Sequence, residues 1–294
     1  VPSGLTWTIH DPRDESRRAY LASTRQGHRI YLDRLVTDAD FVVPVGPLSY
    51  DPILGYQGPW GMIYPGLSDA GTIQAVRSKG ANGLGDRPGD RPALAESTEV
   101  SWLLGSQFQV GLVVAASGGA ARVIAGEAET VRREGMAAVD DAWCFATDQR
   151  AAVVVVGVGR SEGANDFEQL ARALDTGARL VRRGGKIVAL SQVGGPLGPA
   201  LQRLAGCEDP TTLGMSVLKN ARDQPDFVEA RMLARSLNWA DIYLWSGLDH
   251  DVAEDLALVP LGRPEEARRL VNAADSVLFV SYADLTRPLV SQDE

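Results

Sequence analysis

AAVVVVGVGRSEGANDFEQLARALDTGARLVRRGGKIVALSQ, residues 151–192, sets the fold class of the 294-residue chain. Its two ends, AAVVVVGVG (151–159) and KIVALSQ (186–192), are apolar without alternation, as in strands buried on both faces of a parallel sheet. Between them, 166–181 has helical spacing, with Phe167, Leu170, Ala171, Leu174 and Ala178 on one face. The same rhythm continues through several helices, a strand near 241–245, a helix at 264–273 and a last strand at 276–282. Strands alternating with helices imply a parallel sheet covered on both sides. Residues 147–294 are therefore expected to form a doubly wound C-terminal α/β domain.

Upstream the pattern is less regular. LTWTIH (5–10) alternates as a half-buried strand, and Asp11-Pro12 followed by Asp14 and Glu15 carries the signals of a helix start. Further strands are expected at 29–36 and 40–46. The segment 47–72 is rich in Gly, Pro and Tyr and reads as a long irregular stretch, too aromatic to be disordered. A helix follows at 72–78, then a Gly/Pro/Asp-rich loop at 79–93 that reads as mobile. Residues 108–115 and 121–125, split by SGGA, read as a hairpin, and 127–143 as a helix. The expected fold is α/β, two α/β domains with largely parallel sheets, the first over 1–146.

The composition, 45% hydrophobic and 23% charged, is that of a globular protein. No run of 18 apolar residues suggests a spanning helix, and VPSGLTWTIH lacks the regions of a signal peptide, so a cytoplasmic protein is expected with no membrane partner. A net charge of −9 opposes polyanions, and no nucleic acid partner is expected. Cys144 and Cys207 lack metal-ligand or disulfide spacing and read as buried thiols. Lysine occurs only at 79, 186 and 219. The chain starts at Val1 with a strand close behind it, which gives the expectation that it begins inside a larger protein.

Gly157-x-Gly159 with Gly163, between a strand and a helix, approaches a dinucleotide-binding pattern. The third glycine is one place late, Glu162 stands in its slot, and the next strand ends in Ser191-Gln192 rather than an acid for a ribose. The plainer reading is a glycine-rich strand-to-helix turn, still at the sheet edge where ligands bind. Gln169 and Arg172 point together away from the apolar face of their helix. His10 lies among acids suited to a first helical turn, and that capping reading is preferred to a metal site. His28 and His250 read as surface or capping histidines.

Between Asp40 and Arg77, DFVVPVG and then GYQGPWGMIYPGLSDAGTI followed by AVR resemble the lactate racemase family, with the PG-x-TI elements in line. His10-Asp11 resembles the family's HD element, and AAVVVVGVGRSEGANDFEQLARAL the start of its second domain. The resemblance implies racemisation or epimerisation of 2-hydroxy acids with a nickel-pincer nucleotide, two histidines exchanging the hydroxyl proton. It places Gly61 at the lysine that tethers the cofactor, Arg77 at a nickel-ligating histidine and Asp51 at one proton-exchanging histidine; the other catalytic histidine lies in a part of the family upstream of this chain. Glycine has no amine, and a protonated arginine cannot donate to a metal. Asp51 is the candidate catalytic residue. Tyr50, Tyr56, Trp60, Gly61, Arg77, Gln169 and Arg172 are the candidate cleft residues, with Tyr56, Trp60 and Tyr64 fitting either a stacking wall or a packed lid. No metal ligands are assigned.

The expected function is that of a divergent racemase-like protein whose ligand is a small carboxylate-bearing molecule. The alternatives are an untethered isomerase with Asp51 as base, a non-catalytic small-molecule binder, a nicotinamide-dependent dehydrogenase and a partner-binding module. Asp284-Leu285-Thr286-Arg287-Pro288 resembles the family's DxTRP element out of place, and reads more simply as a turn at a strand end.

Overall fold

The computed structural model describes residues 4, 6–84, 87–116, 118–159 and 165–291. Two compact units divide the chain, one of residues 1–113 with 121–136 and the other of 114–120 with 137–294.

In the first unit β1 (Arg18–Ser23) and β2 (Arg29–Asp33) form an antiparallel pair, followed by a one-turn helix α1 (Arg34–Thr37) capped by the Asp33 carboxylate. Next come β3 (Val45–Asp51), β4 (Gly55–Gln57), α2 (Pro59–Ile63), α3 (Ala70–Gly80), α4 (Pro92–Leu103), β5 (Phe108–Val114), β6 (Ala120–Glu127) and α5 (Ala128–Trp143). The boundary between the units falls within α5. The sheet order is β4-β3-β5-β6, with β3 antiparallel to β4 and parallel to β5. Pairing of Val45 with Val110 and of Leu48 with Val113 fixes which side chains share a face. Leu48 and Val113 are each 1% exposed. Glycines let neighbouring elements approach this face: a Cβ at Gly135 of α5 would lie 2.9 Å from both Leu48 methyl carbons, and one at Gly46 would strike Met62 of α2. On the alternate positions Val45, Phe108 and Val123 are exposed. These strands thus carry apolar residues on their exposed side as well.

Several expected elements differ. Residues 6–10 carry no strand, because His10 turns its ring into the protein and the neighbouring Trp7 and Ile9 stay exposed. The strand expected at 40–46 starts at Val45 and runs on to Asp51, and 47–72 is ordered into β3, β4, α2 and the start of α3. Helix α4 lies where the sequence shows no apolar stripe. The helix start expected after Asp11-Pro12 is a single 3-10 turn, Glu15–Arg17, capped by Asp14. The stretch 79–93 is short helical turns among its described residues rather than a featureless loop.

The second unit contains β7 (Cys144–Thr147), β8 (Ala151–Gly157), α6 (Phe167–Leu180), β9 (Val181–Leu190), α7 (Pro199–Ala205), α8 (Pro210–Val217), α9 (Phe227–Leu237), β10 (Asp241–Trp245), α10 (His250–Asp255), β11 (Val259–Pro260), α11 (Pro264–Asn272), β12 (Val277–Val280) and β13 (Arg287–Val290). Its sheet, β11-β10-β9-β8-β12, is parallel throughout. From β8 the chain passes to β9 on one side, and β12 returns on the other, so the strand order reverses at the carboxyl end of β8. β13 pairs with β7 in a separate parallel pair.

Both faces are covered. On one, α6 buries Leu170, Leu174 and Leu180, with Leu174 and Leu180 fully inaccessible. A Cβ at Gly177 would lie 3.1 Å from Ile187 and 3.3 Å from Val156, so this glycine brings the helix close to the sheet. On the other, Val153, Val155, Val188 and Leu261 pack with Ala267, Leu270 and Val271 of α11. The uninterrupted apolar run of β8 follows from this two-sided burial. The chain is α/β with largely parallel sheets, as its sequence pattern indicates. Cys144 and Cys207 are free and only half-buried, not sealed in the core.

Candidate functional site

In the first unit Asp51 ends β3, and its Oδ1 accepts the backbone N–H of Ile53 at 2.8 Å and of Leu54 at 2.7 Å. These bonds form an Asx turn, with Gly55 at φ +82° completing the reversal into β4. The pairing of Tyr50 with Tyr56 sets their rings 5.4 Å apart at 44°. Trp60 is 2% exposed and donates its Nε1–H to the Tyr56 carbonyl at 3.1 Å. Tyr56, Trp60 and Tyr64 are all buried, so of the two readings of these aromatics the packed one describes them. Burial, and then the charges of Glu96 and Asp69, push the Tyr64 phenol up to about 12.

Gly61 lies buried inside α2. A Cβ there would lie 2.6 Å from Leu54 Cδ1 and 2.9 Å from Gln57 Oε1, so any side chain at this position must displace both. Arg77 is half-buried in the last turn of α3, where a cation complements the helix carbonyls. The backbone thus gathers Tyr50, Asp51, Tyr56, Trp60 and Gly61 along one strand-turn-strand-helix segment.

In the second unit Gln169 is the third residue of α6 and completes a capping box: its N–H donates to Asp166 Oδ1 at 2.8 Å, and its Oε1 accepts Asp166 N–H at 3.2 Å. Arg172, 19% exposed at the side chain, donates Nη2–H to Glu168 Oε1 at 2.7 Å. Gly159 takes φ +87°, and a Cβ on it would overlap Asn165 Nδ2. Asn165 Oδ1 in turn accepts Ser191 Oγ–H at 3.0 Å and Gln192 N–H at 2.7 Å. The glycine therefore admits an asparagine that ties the entry to α6 to the residues after β9. Gly159 N–H donates to Asp284 Oδ1 at 3.4 Å, so a carboxylate takes the donor that a pyrophosphate oxygen would need. Glu162 and Gly163 lie outside the described residues. In the Asp284–Pro288 segment the chain leaves the turn after β12 and enters β13 at Arg287, held by Thr286 Oγ1–H to Tyr282 O at 2.8 Å and by Thr176 Oγ1–H to Thr286 O at 3.0 Å.

One polar cluster is not apparent in the sequence. His10 Nδ1 lies 2.8 Å from Asp33 Oδ2 and its Nε2 lies 2.9 Å from Ser68 O, so it bridges segments 23 and 58 residues away. Arg17 donates from Nη2 at 3.0 Å and Nε at 3.3 Å to Asp33 Oδ1, which also accepts Leu35 N–H at 2.9 Å. Burial pushes the Asp33 carboxyl up, but the Leu35 N–H, His10 and Arg17 outweigh it and hold it below the usual carboxylate range. A small open pocket is lined here by His10, Arg17, Arg18, Asp33, Ser68 and Asp69. His10 is thus a partner of Asp33 rather than a helix cap. His28 pairs with Glu96 at 2.7 Å, and His250 opens α10 at the surface.

The units and their strand orders define an α/β protein with largely parallel sheets. Residues 2–81 match the family described as the lactate racemase N-terminal domain. The lactate racemase of Thermoanaerobacterium thermosaccharolyticum is 20% identical over 279 residues, covering 91% of this chain and 65% of that protein. The structure of the lactate racemase apoprotein from that organism superposes with a TM-score of 0.85 at 18% identity, over 98% of this chain and 72% of the other. A crystal structure of a protein from Thermotoga maritima superposes with a TM-score of 0.69 at 12% identity, over 96% and 77%. The chain is thus similar to the lactate racemase family, by the family model over residues 2–81 and by its fold over nearly its whole length. It spans 65% of the length of that curated relative.

Proposed function

We propose that this chain is a divergent racemase relative that binds a small carboxylate-bearing molecule and does not tether the nickel-pincer nucleotide. The observation that carries the reading is Gly61. It stands where the resemblance puts the tethering lysine, it has no amine, and its surroundings leave no space for a side chain without moving Leu54 and Gln57. Arg77, at the position that the resemblance gives the nickel ligand, has a guanidinium, a group of donors with no acceptor for a metal. The residues present therefore do not fit the tethered group, and no catalytic step is derived through it.

Positive charge remains among the candidate residues at Arg77 and Arg172. Arg172 is oriented by Glu168 and presents a planar donor fork of the kind that binds carboxylates in a bidentate manner. Asp51, its Oδ1 engaged by two backbone N–H groups, is accounted for as the residue that makes the β3–β4 turn. A nicotinamide reading is disfavoured by Asp284 at the Gly159 N–H. The test is calorimetric titration of the protein with both enantiomers of lactate and a panel of other 2-hydroxy carboxylates, alongside a chiral assay for interconversion. Saturable binding that Arg172→Gln weakens, without interconversion, supports the reading. Turnover of one enantiomer into the other overturns it.

A further inference from the structure

His10 is fastened at both ring nitrogens. Its Nδ1 lies 2.8 Å from Asp33 Oδ2, and its Nε2 lies 2.9 Å from the carbonyl oxygen of Ser68. A carbonyl oxygen only accepts, and so does an ionised carboxylate. Asp33 also accepts from Arg17 and from the Leu35 N–H, bonds that favour its ionised form. A neutral imidazole carries hydrogen on one nitrogen alone, so both bonds form together only on the imidazolium.

The ring sits at a junction of three segments of the first unit. Apart from the 3-10 turn Glu15–Arg17, residues 6–17 contain no helix or strand and form a strap. Beside the ring, Ala70 N–H donates to Pro12 O at 2.8 Å, and Asp33 N–H donates to Leu67 O at 2.9 Å. The strap thus meets the end of β2 and the connection between α2 and α3, which joins the helix of Gly61 to the helix of Arg77. Ser68, in that connection, is fully inaccessible, and its Oγ makes no hydrogen bond among the described residues. It lines the small open pocket together with His10. The charged groups of this pocket are Asp11, Asp14 and Arg17 of the strap, Arg18 of β1, Asp33, and Asp69 before α3. Asp11 and Asp14 accept backbone N–H groups of the strap, and Asp69 faces Arg18 at 3.6 Å, which leaves Asp33 as the carboxylate bonded to the ring.

We propose that His10 is a proton-dependent fastener: as the imidazolium it ties the strap to both Asp33 and Ser68, and on losing a proton it keeps Asp33 and releases Ser68. The remaining hydrogen stays on Nδ1, because a charged acceptor holds it more strongly than a carbonyl does. Nε2 then turns a lone pair toward the Ser68 oxygen, and the two acceptors repel. The proton leaves to solvent through the open side of the pocket, and water takes its place between the ring, the freed carbonyl and the Ser68 hydroxyl. Histidine suits this role because its charge changes near neutrality. The sign follows: the Ser68 link is complete on the acid side of the ring's titration and is lost on the alkaline side. The fastener uses none of the residues to which the racemase resemblance gives catalytic or cofactor roles.

The test is hydrogen exchange of the Ala70 amide in the intact protein, followed from mildly acidic to mildly alkaline pH and corrected for the base-catalysed rise common to all amides. Ala70 exchange is expected to accelerate at least about tenfold beyond that correction once the ring is neutral, since a hydrogen bond to a charged group is worth more than that factor. The Val153 amide, bonded to Ser276 O in the second unit, shows no such rise. His10→Gln removes the titration and flattens the Ala70 profile. Nitrogen NMR of the imidazole reads the same point directly: both ring nitrogens carry hydrogen at the acid end and Nδ1 alone at the alkaline end. Should His10→Gln fold poorly, the ring resonances of the wild type decide. A ring with hydrogen on one nitrogen throughout, a neutral ring that keeps hydrogen on Nε2, Ala70 exchange without the extra rise, or the same rise in His10→Gln overturns the proposal.

Discussion

Replacing Asp33 by Asn keeps the shape of the side chain and removes the charge on which three segments of the first unit converge. The Asp33 side chain is 2% exposed and faces His10 and Arg17. Removing one member of a buried pair costs about 3–5 kcal/mol when the other is left uncompensated. Arg17, at 29% side-chain exposure, and His10, at 18%, keep some access to water, which screens the loss. The expected cost at pH 7 is therefore about 2–3 kcal/mol. The sign of its pH dependence follows from the lowered Asp33 pKa. A carboxyl that ionises more readily when folded contributes fully above the unfolded value of 3.8, and the contribution is lost as pH falls through the lower folded value. Urea unfolding of wild type and Asp33→Asn, followed by tryptophan fluorescence at neutral and strongly acidic pH, measures both quantities. A difference below about 1 kcal/mol at pH 7, or one that stays constant into strong acid, would refute the reasoning.

Three further outcomes are expected. Gly159→Ala places a Cβ in the left-handed region and against Asn165, and should destabilise the second unit by about 2–4 kcal/mol in chemical denaturation. Leu174→Ala empties a fully buried position between α6 and the sheet and should cost about 2–5 kcal/mol by the same measurement. Tyr64 should titrate near 12 in ultraviolet absorbance; because the folded state holds its proton more tightly, this contribution is complete below pH 10 and lost as pH rises towards 12.

The second unit is legible in the sequence because two-sided burial leaves an uninterrupted apolar signature. Residues 151–157 and 186–190 have it, and both are strands of the parallel sheet. The first unit is less legible because its order comes from single residues rather than periodicity. Asp51 and Gly55 turn β3 into β4, so a segment that reads as irregular is a hairpin leading into α2. Residues 6–10 alternate as a strand would, but pair with nothing, since His10 is drawn to Asp33 and Ser68. Helix α4 escapes notice because its apolar residues scatter around the axis, leaving Trp102 75% exposed.

At the candidate site the spacing of Gln169 and Arg172 is visible in sequence, but their partners are not. Gln169 belongs to the capping box of α6 and Arg172 to an ion pair with Glu168, both formed within one helical turn. The Asp33 cluster is invisible to pattern reading for another reason: it joins residues far apart in the chain.

The most direct test of the account is the nickel content of this protein, measured by elemental analysis after production together with the cofactor-making enzymes. A competent lactate racemase prepared in parallel serves as the positive control. The glycine at 61 and the arginine at 77 predict no nickel in this protein while the control is loaded. Nickel approaching one atom per chain would contradict the account and place the chain among working isomerases that hold the cofactor without a lysine tether.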